Sequence, residues 1–290
     1  MTTSAASGGP SSAALPSLDE LARTPRRIVC IAPSNTETLY ALGAEDRIVG
    51  VSRYCDHPAA ARSKPRCGGF LDPHVDDILA LRPDLVLAQS FLQEDAVKRL
   101  VHAEVRVVAF AATSLREVLE EILLLGRIVE RDREAVALVS RVRDELAEVA
   151  EAAARFAGAP RPRVHVEEWG PSEPYYLAGD WVAELLELAG GENAFASREL
   201  RCPSPQRRVT AEEIAAADPD VIIAAWCGCN DKVDLGRIAR RPALAHARAV
   251  SGGWLRFVDD RFLMRPGPRL AEGARRLHAI VREWHTARSP

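Results

Sequence analysis

The segment RIVCIAPSNTETLYALGAEDRIVGVS (27–52) carries the pattern that decides the fold. Residues 26–32 form a short apolar run with β-branched side chains, which is typical of a buried strand. The spacing of Ser34 and Glu37 is that of a capping box and predicts the start of a helix. A second strand is predicted over 46–52, so the segment is expected to form a βαβ unit.

The same kind of unit recurs further along the chain. ILALRPDLVLA (78–88) and IAAADPDVIIA (214–224) each combine the end of a helix, a Pro-Asp pair and a buried strand. One copy lies in each half of the chain, which indicates two similar lobes. The other apolar runs alternate between strand and helix spacing, so both lobes are predicted to be α/β.

Polar residues mark two further helix starts. Asp72 is followed by proline, and together they predict a helix over 73–82. Ser114 and Glu117 repeat the capping-box spacing ahead of a long helical pattern.

A stretch without glycine or proline lies at the midpoint of the chain. REAVALVSRVRDELAEVAEAAARF (133–156) predicts a single helix of roughly 36 Å. Because it separates the two halves, we interpret it as a rigid connector rather than an ordinary surface helix. The predicted organisation is a leader (1–25), a first α/β lobe (26–132), a connecting helix (133–157) and a second α/β lobe (158–290).

The composition indicates a globular protein with material for two domains. The chain has 290 residues, of which 47% are hydrophobic and 27% are charged. Its net charge is -3 and it has no long block of Lys and Arg, which argues against nucleic acid as a partner. No apolar run approaches the roughly 18 residues that a membrane-spanning helix requires.

The start of the chain bears on its location. Residues 1–25 are small and polar, without the basic and apolar regions of an export signal and without a cysteine for lipid attachment. They are predicted to be a disordered leader of a cytoplasmic protein. If the true start lies elsewhere, a periplasmic or extracellular location is expected.

Motifs of common enzyme classes are absent from the sequence. It contains no G-x-S-x-G elbow, no Walker A loop, no glycine-rich dinucleotide fingerprint after the first strand and no H-E-x-x-H. No paired general acid and base stands out either. The chain is therefore predicted not to be an enzyme.

The loops after the predicted strands are rich in aromatic residues. Ligands of parallel α/β sheets bind beyond the carboxyl ends of the strands, so these loops are the candidate site. One aromatic residue at a strand end usually closes the core, but several at one opening suit a large, rigid, partly apolar ligand. The residues predicted to bind such a ligand are Tyr54, His57, Phe70, Phe91, Trp169, Trp226, Asp260, Phe262 and Arg265.

Six cysteines are too few for a disulfide framework in a chain of this length. Cys30 lies inside an apolar strand and is expected in the core. The others could include metal ligands, although their spacing is unspecific and free, partly buried thiols are the alternative. The cysteines in or near strand-end loops, which form the alternative metal site, are Cys55, Cys67, Cys227 and Cys229.

Asp76 and Glu212 lie early in equivalent helices of the repeated unit. Acidic side chains in the first turn of a helix complement its dipole, and this effect alone explains an acidic residue at each of the two positions. They could also present one carboxylate per lobe to arginines of a partner protein.

Several segments together resemble the cobalamin-binding and iron-siderophore-binding proteins of ABC importers. The resemblance covers about residues 26–285 and is closest to the cobalamin-binding branch. It implies two Rossmann-like lobes on one rigid helix, a ligand held between them, little hinge motion and a monomer. The segments that carry it, besides 27–52, are YCDHP (54–58), GGFLDPHVDDILALRPDLVLA (68–88), AGDWVAELLELAGGENAF (178–195), RRVTAEEIAAADPDVIIAAWCG (207–228) and MRPGPRLAEG (264–273).

The resemblance also implies roles for particular residues. Tyr54 matches the aromatic residue that flanks the corrin ring, while Phe91, Trp169 and residues 260–265 fall where the family lines its cleft. Asp76 and Glu212 match the two acidic positions that meet arginines of the ABC permease. Asp76 is shorter than the glutamate usual at its position.

Cys55 in CDHP (55–58) and Cys227 in WCG (226–228) resemble cysteines found at these positions in a branch of the family that lacks signal sequences. Two hypotheses follow. The first is non-catalytic binding of a corrinoid, such as cobalamin, or of a related metal chelate for ABC-type uptake. The second is a cytosolic protein that holds a transition metal or an iron-sulfur cluster through cleft cysteines, with Cys67, Cys202 or Cys229 as further ligands.

Overall fold

The computed structural model describes residues 23–89, 91–201, 204–229 and 232–288, without the side chain of Phe91. Residues 1–22 of the predicted leader (1–25) lie outside this set. Residues 23–25 are described, and Pro25 is buried, so the ordered part of the chain begins earlier than predicted. Cys202 also lies outside the described residues.

The first lobe is built on a four-stranded parallel sheet in the order β2-β1-β3-β4. Every residue of β1 is buried, as expected for a parallel strand covered on both faces. Val29 of β1 lies opposite Gly50 of β2 and Val86 of β3, which fixes the register. The strands are β1 (Ile28–Cys30), β2 (Ile48–Val51), β3 (Leu85–Gln89) and β4 (Val107–Phe110).

The helices of this lobe are α1 (Pro33–Ala41), α2 (Val75–Ala80), α3 (Glu94–His102) and α4 (Leu115–Ile128). Half of the capping box predicted at Ser114 is confirmed, because the Ser114 side chain accepts a hydrogen bond from the Glu117 amide at the start of α4. The Glu117 carboxylate accepts from the Thr113 amide instead of the Ser114 amide, so the reciprocal half is absent. The capping box predicted at Ser34 is wrong. Helix α1 begins at Pro33, and the Ser34 hydroxyl donates to Gln89 instead.

Helix α2 is shorter than the predicted helix over 73–82. It begins at Val75, and His74 occupies the N-cap position without a side-chain cap. Asp72, the predicted cap, binds the Arg53 guanidinium at 2.5 Å. The Asp72 carboxylate therefore pairs with Arg53, in the loop after β2, and does not cap the helix as the sequence pattern predicted.

The second lobe contains a larger, mixed sheet in the order β10-β9-β5-β6-β8, with β7 pairing with β5. Its centre is parallel, since β5 runs parallel to β9 and β9 to β10. Strand β6 runs antiparallel to both β5 and β8. The strands are β5 (Arg163–Trp169), β6 (Tyr175–Leu177), β7 (Glu192–Asn193), β8 (Arg208–Val209), β9 (Val221–Ala224) and β10 (Leu255–Phe257).

The predicted connector is helix α5 (Asp132–Ala154). Its buried residues recur at helical spacing, and it packs against α4 and the closing helix of the second lobe. One hydrophobic core runs from Ile28 of β1 through Val142 of α5 to Val164 of β5. The remaining helices are α6 (Trp181–Leu188), α7 (Ala211–Ala217), α8 (Gly236–Ala239), α9 (Arg248–Ser251), α10 (Asp260–Leu263) and the closing helix α11 (Leu270–Thr286).

The predicted fold class, two α/β lobes on one long helix, is confirmed. The repeated unit appears as α2 followed by β3 and as α7 followed by β9. Domain boundaries at residues 132 and 157 stay a prediction. Within the described residues, no helix combines the length and apolar character needed to cross a membrane.

Candidate ligand-binding cleft

The strand-end loops of the two lobes face each other. Arg265, which follows α10, places its Nη1 2.9 Å from Glu37 Oε1 and 2.7 Å from Asp56 Oδ1 in the first lobe. A Cβ atom added at Gly228 would lie 3.8 Å from the Tyr54 ring. The helix after β1 and the loop after β2 therefore meet the segments after β9 and β10, as expected where the carboxyl edges of two sheets point at each other.

An interlobe ion-pair cluster, formed by Glu37, Asp56, Arg261, Arg265 and Arg269, joins these loops. Arg269 holds both oxygens of Glu37, at 2.6 and 2.7 Å. Arg261 lies 3.4 Å from Asp56. Burial alone would raise the pKa of Asp56, but the hydrogen bond and charge of Arg265, together with Arg261, hold it below its ordinary value. Both lobes are thus fixed to each other by charge at the edge of the cleft.

Arg265 was predicted to bind ligand. The structure places it in this cluster, where its side chain is 10% exposed and is held by two carboxylates. Sequence reasoning missed Glu37 as a site residue, because a capping box with Ser34 already explained a glutamate at this position. No local signal points to a partner 228 residues away.

Two aromatic side chains of the predicted site are exposed on the strand-end loops. Tyr54 follows β2 and is 43% exposed, and Trp169 ends β5 and is 39% exposed. Leu71 and Leu92 are also strongly exposed, at 68% and 46%, in the loops before α2 and after β3. Sequence reasoning named only their neighbours Phe70 and Phe91. The signal was available, since both are Phe-Leu pairs in strand-end loops.

The other predicted ligand residues vary in their surroundings. His57 is exposed as a whole, but neighbouring atoms shield part of its ring from water. This partial desolvation, together with the Arg269 charge, lowers the imidazole pKa and favours the neutral ring. Phe70 is half-buried. The guanidinium groups of Arg269 and Arg276 lie over the Phe262 ring, 5.0 and 4.1 Å from its centroid. The side chain of Phe91 lies outside the described part of the chain.

Trp226 does not face the cleft. It is 2% exposed and packs in the core of the second lobe, where its indole Nε1 donates to Glu167 Oε1 at 2.8 Å. The aromatic residue at this strand end closes the core, so we remove Trp226 from the ligand-facing set.

Asp260 is also largely enclosed. Its Oδ2 accepts a hydrogen bond from the Gly228 amide at 3.3 Å, while its buried Oδ1 has no hydrogen-bond partner among the described residues. Burial raises the pKa of this carboxyl. Asp260 thus orients the loop that carries Cys227 and Cys229, opposite Tyr54.

The five cysteines that the structure describes do not assemble into a metal centre. Cys55 and Cys67 are buried in the first lobe, and Cys55 accepts a hydrogen bond from the Thr36 hydroxyl at 3.1 Å. Burial raises the pKa of the Cys67 thiol to about 11 and that of Cys227 to about 12, and it also raises the pKa of Cys55.

Within the described residues, no group of three or more His, Cys, Asp or Glu side chains is arranged to hold a metal ion. The alternative metal or iron-sulfur site at Cys55, Cys67, Cys227 and Cys229 is therefore not supported.

The two acidic residues predicted to meet a partner are exposed. Asp76 lies in the first turn of α2 and Glu212 in the first turn of α7, equivalent places in the repeated unit. The Asp76 side chain is 92% exposed and lies 3.4 Å from Arg99. A surface depression of about 420 Å³ adjoins it between α2 and α3.

Comparison with known proteins agrees with this architecture. A family model described as "Periplasmic binding protein" matches residues 28–261. A cobalamin-binding protein of Halobacterium salinarum is 30% identical over 267 residues, which cover 87% of this chain and 68% of that protein. An uncharacterized ABC transporter substrate-binding lipoprotein of Bacillus subtilis is 29% identical over 261 residues, which cover 88% of this chain and 79% of the relative.

A solved structure is similar as well. The periplasmic heme-binding protein of Pseudomonas aeruginosa superposes with a TM-score of 0.75 at 28% identity, covering 89% of this chain and 92% of that one. The family description and the solved structure are named periplasmic, and the Bacillus subtilis relative is named a lipoprotein, so the expected cytoplasmic location finds no support in them. The names also describe binding proteins rather than enzymes. The chain therefore belongs to the periplasmic binding protein family, and it is a substrate-binding protein, not an enzyme.

Proposed function

We propose that the protein binds a corrinoid between its lobes and presents it to an ABC permease. The observation that carries the proposal is the exposure of Tyr54 and Trp169 on strand-end loops of the two lobes. Flat aromatic faces at the rim of a cleft suit a large planar ring system. Around the ligand we place Tyr54, His57, Phe70, Phe91, Trp169 and Phe262, with Asp260 and Arg265 shaping the second lobe's edge.

The charges at the cleft edge favour a corrinoid over heme, although relatives of both kinds are similar to this chain. Heme carries two propionates that need cationic partners. Arg261 and Arg265 already bind the carboxylates of the interlobe ion-pair cluster. The rim of a corrinoid carries neutral amides, which backbone and side-chain polar groups can satisfy without a free cation.

The permease is proposed to dock on the outer ends of α2 and α7. Asp76 and Glu212 each offer one exposed carboxylate, one from each lobe. Because α5 and the ion-pair cluster hold the lobes together, these carboxylates keep a fixed spacing that arginines of one partner can match. Docking of this kind places the protein outside the cytoplasmic membrane. We expect the free protein to be a monomer.

Titration of the purified protein with cyanocobalamin and, separately, with hemin tests the ligand. Both absorb visible light, so equilibrium dialysis with absorbance detection measures free and bound ligand directly. We expect one cyanocobalamin per chain with a Kd of about 1 µM or below, and weaker binding of hemin. Retention of hemin alone would replace the corrinoid with heme, and retention of neither ligand would contradict the proposed function.

A further inference from the structure

A buried ion pair lies next to the end of β5, where Trp169 is the last residue. Glu167 of β5 is fully buried, and Arg241 is 6% exposed in side-chain terms. The guanidinium holds both carboxylate oxygens, at 2.7 and 2.8 Å. The carboxylate of Glu167 also accepts one hydrogen bond from the Trp226 indole and lies 3.2 Å from the His165 ring nitrogen.

The same guanidinium reaches the loop after β5. Arg241 Nη2 donates to the Gly170 carbonyl oxygen at 2.9 Å, next to Trp169. Its charged carbon lies 3.6 Å from the centroid of the Tyr175 ring, on the other side of the turn. A Cβ atom at Gly170 would overlap the Glu167 carboxylate, so the backbone touches the ion pair and only glycine fits there.

The strand register explains why this contact matters for Trp169. Strands β5 and β6 pair with an irregularity between Glu167 and Trp169, so the regular alternation of faces is interrupted there. An irregularity of this kind can turn a side chain to a new direction, but it leaves the local backbone less fixed. Trp169 then lies opposite Tyr176, with its ring exposed.

Stability alone does not account for a fully buried ion pair. The desolvation of two charges costs about as much as their attraction returns, and well-packed apolar residues often serve equally well. Glu167 and Arg241 do more than neutralise each other. Glu167 binds the Trp226 indole and Arg241 binds the Gly170 carbonyl, and both of these groups lie near Trp169.

We infer that Arg241 and Glu167 are positioning residues that hold Trp169 in its ligand-facing orientation before the ligand arrives. The inference rests on the proposed function, since it takes Trp169 to be part of the ligand site. A preset aromatic wall avoids the entropy cost of ordering the loop during binding.

The substitution Arg241→Lys tests this. Lysine keeps the positive charge next to Glu167, but its single ammonium cannot hold the carboxylate and the Gly170 carbonyl in one planar fork. We expect cyanocobalamin binding to weaken about tenfold. In a Trp169→Phe background the same substitution should have little further effect on affinity, because its influence passes through Trp169.

The matched control is Arg248→Lys. Arg248 likewise binds a carboxylate and the carbonyl of one residue, Asp218, and it also pairs with Asp220. These partners precede β9, at the edge of the sheet opposite Trp169. Equal losses of affinity in the two variants would show a general effect of destabilising the lobe and would overturn the inference.

A measurement without ligand separates this inference from the proposed function. Acrylamide quenching of tryptophan fluorescence is measured for each protein and for the same protein with Trp169→Phe. Because the chain has five Trp residues, the difference between the two measurements gives the quenching of Trp169. We expect Arg241→Lys to increase this quenching and Arg248→Lys to leave it unchanged, whether or not cyanocobalamin binds. Unchanged quenching in Arg241→Lys would overturn the inference even if the protein binds cyanocobalamin tightly.

If Arg241→Lys does not fold, the double substitution Glu167→Gln with Arg241→Met takes its place. It removes both charges, so no unpaired ion is left in the core. The same increase in Trp169 quenching is expected, and wild-type quenching would count against the inference.

Discussion

At the scale of single residues, Trp169 and Tyr54 are expected to contribute to affinity but not to folding. Replacing either with alanine should weaken cyanocobalamin binding about tenfold, because a rigid aromatic contact is lost. The midpoint of thermal unfolding should change little, since both side chains are already substantially exposed. Equilibrium dialysis and circular dichroism measure the two quantities.

Val136→Ala provides the control, since Val136 is an apolar side chain of α5 with 61% exposure. It should leave affinity unchanged. An alanine variant of Trp169 or Tyr54 that binds as tightly as the wild type would remove that residue from the site.

The sequence predicts exposed aromatic residues better than it predicts paired charges. Tyr54 and Trp169 follow directly from their places after strands. Trp226 also follows a strand, β9, but its side chain is buried. Its indole N–H binds the carboxylate of Glu167, a residue 59 positions earlier in the sequence. Arg265 likewise meets Glu37 of the other lobe. Such pairings depend on the tertiary structure, and no local pattern contains them.

At the scale of helices and strands, Ser114 is expected to matter through its cap. Ser114→Ala removes the acceptor for the Glu117 amide and should lower the free energy of unfolding by about 1 kcal/mol. Urea unfolding followed by circular dichroism measures the loss. The control is Ser140→Ala, an exposed position inside α5, where alanine should maintain or slightly raise stability. Equal stability of the two variants would show that the cap contributes nothing.

The sequence predicts whether a segment forms a helix or a strand better than it predicts the residue at which a helix begins. The connector predicted over 133–156 appears as Asp132–Ala154, because a long stretch without glycine or proline leaves little choice. Helix α2 begins later than predicted, since Arg53 takes the Asp72 carboxylate. A cap is therefore predictable only when no distant partner competes for it.

At the scale of the whole molecule, two different interactions hold the lobes together. Helix α5 contributes a hydrophobic core shared by β1 and β5. The interlobe ion-pair cluster adds contacts between residues that lie more than 200 positions apart in the sequence. The first follows from helical periodicity in the sequence, while the second appears only once the lobes face each other. Little hinge motion between the lobes stays a prediction, for which these two connections give a physical reason.

The ion-pair cluster makes stability depend on pH through Asp56. Its pKa in the folded protein lies below the ordinary value of 3.8, so its ionised form is favoured by folding. The stability that it contributes is present above the pKa of the unfolded chain and is lost as the pH falls through the lower folded value. Asp56→Asn removes this contribution and should cost about 1 kcal/mol at pH 7, because the carboxylate is partly exposed to solvent.

The difference in unfolding free energy between wild type and Asp56→Asn is therefore expected to stay constant from about pH 7 to pH 5 and to shrink below about pH 4. Urea unfolding at a series of pH values measures it. Asp46→Asn, at an exposed position in the turn before β2, should show a smaller difference throughout. A difference for Asp56→Asn that grows on acidification has the wrong sign for a carboxylate stabilised by Arg265, and it would rule out the cluster as a brace between the lobes.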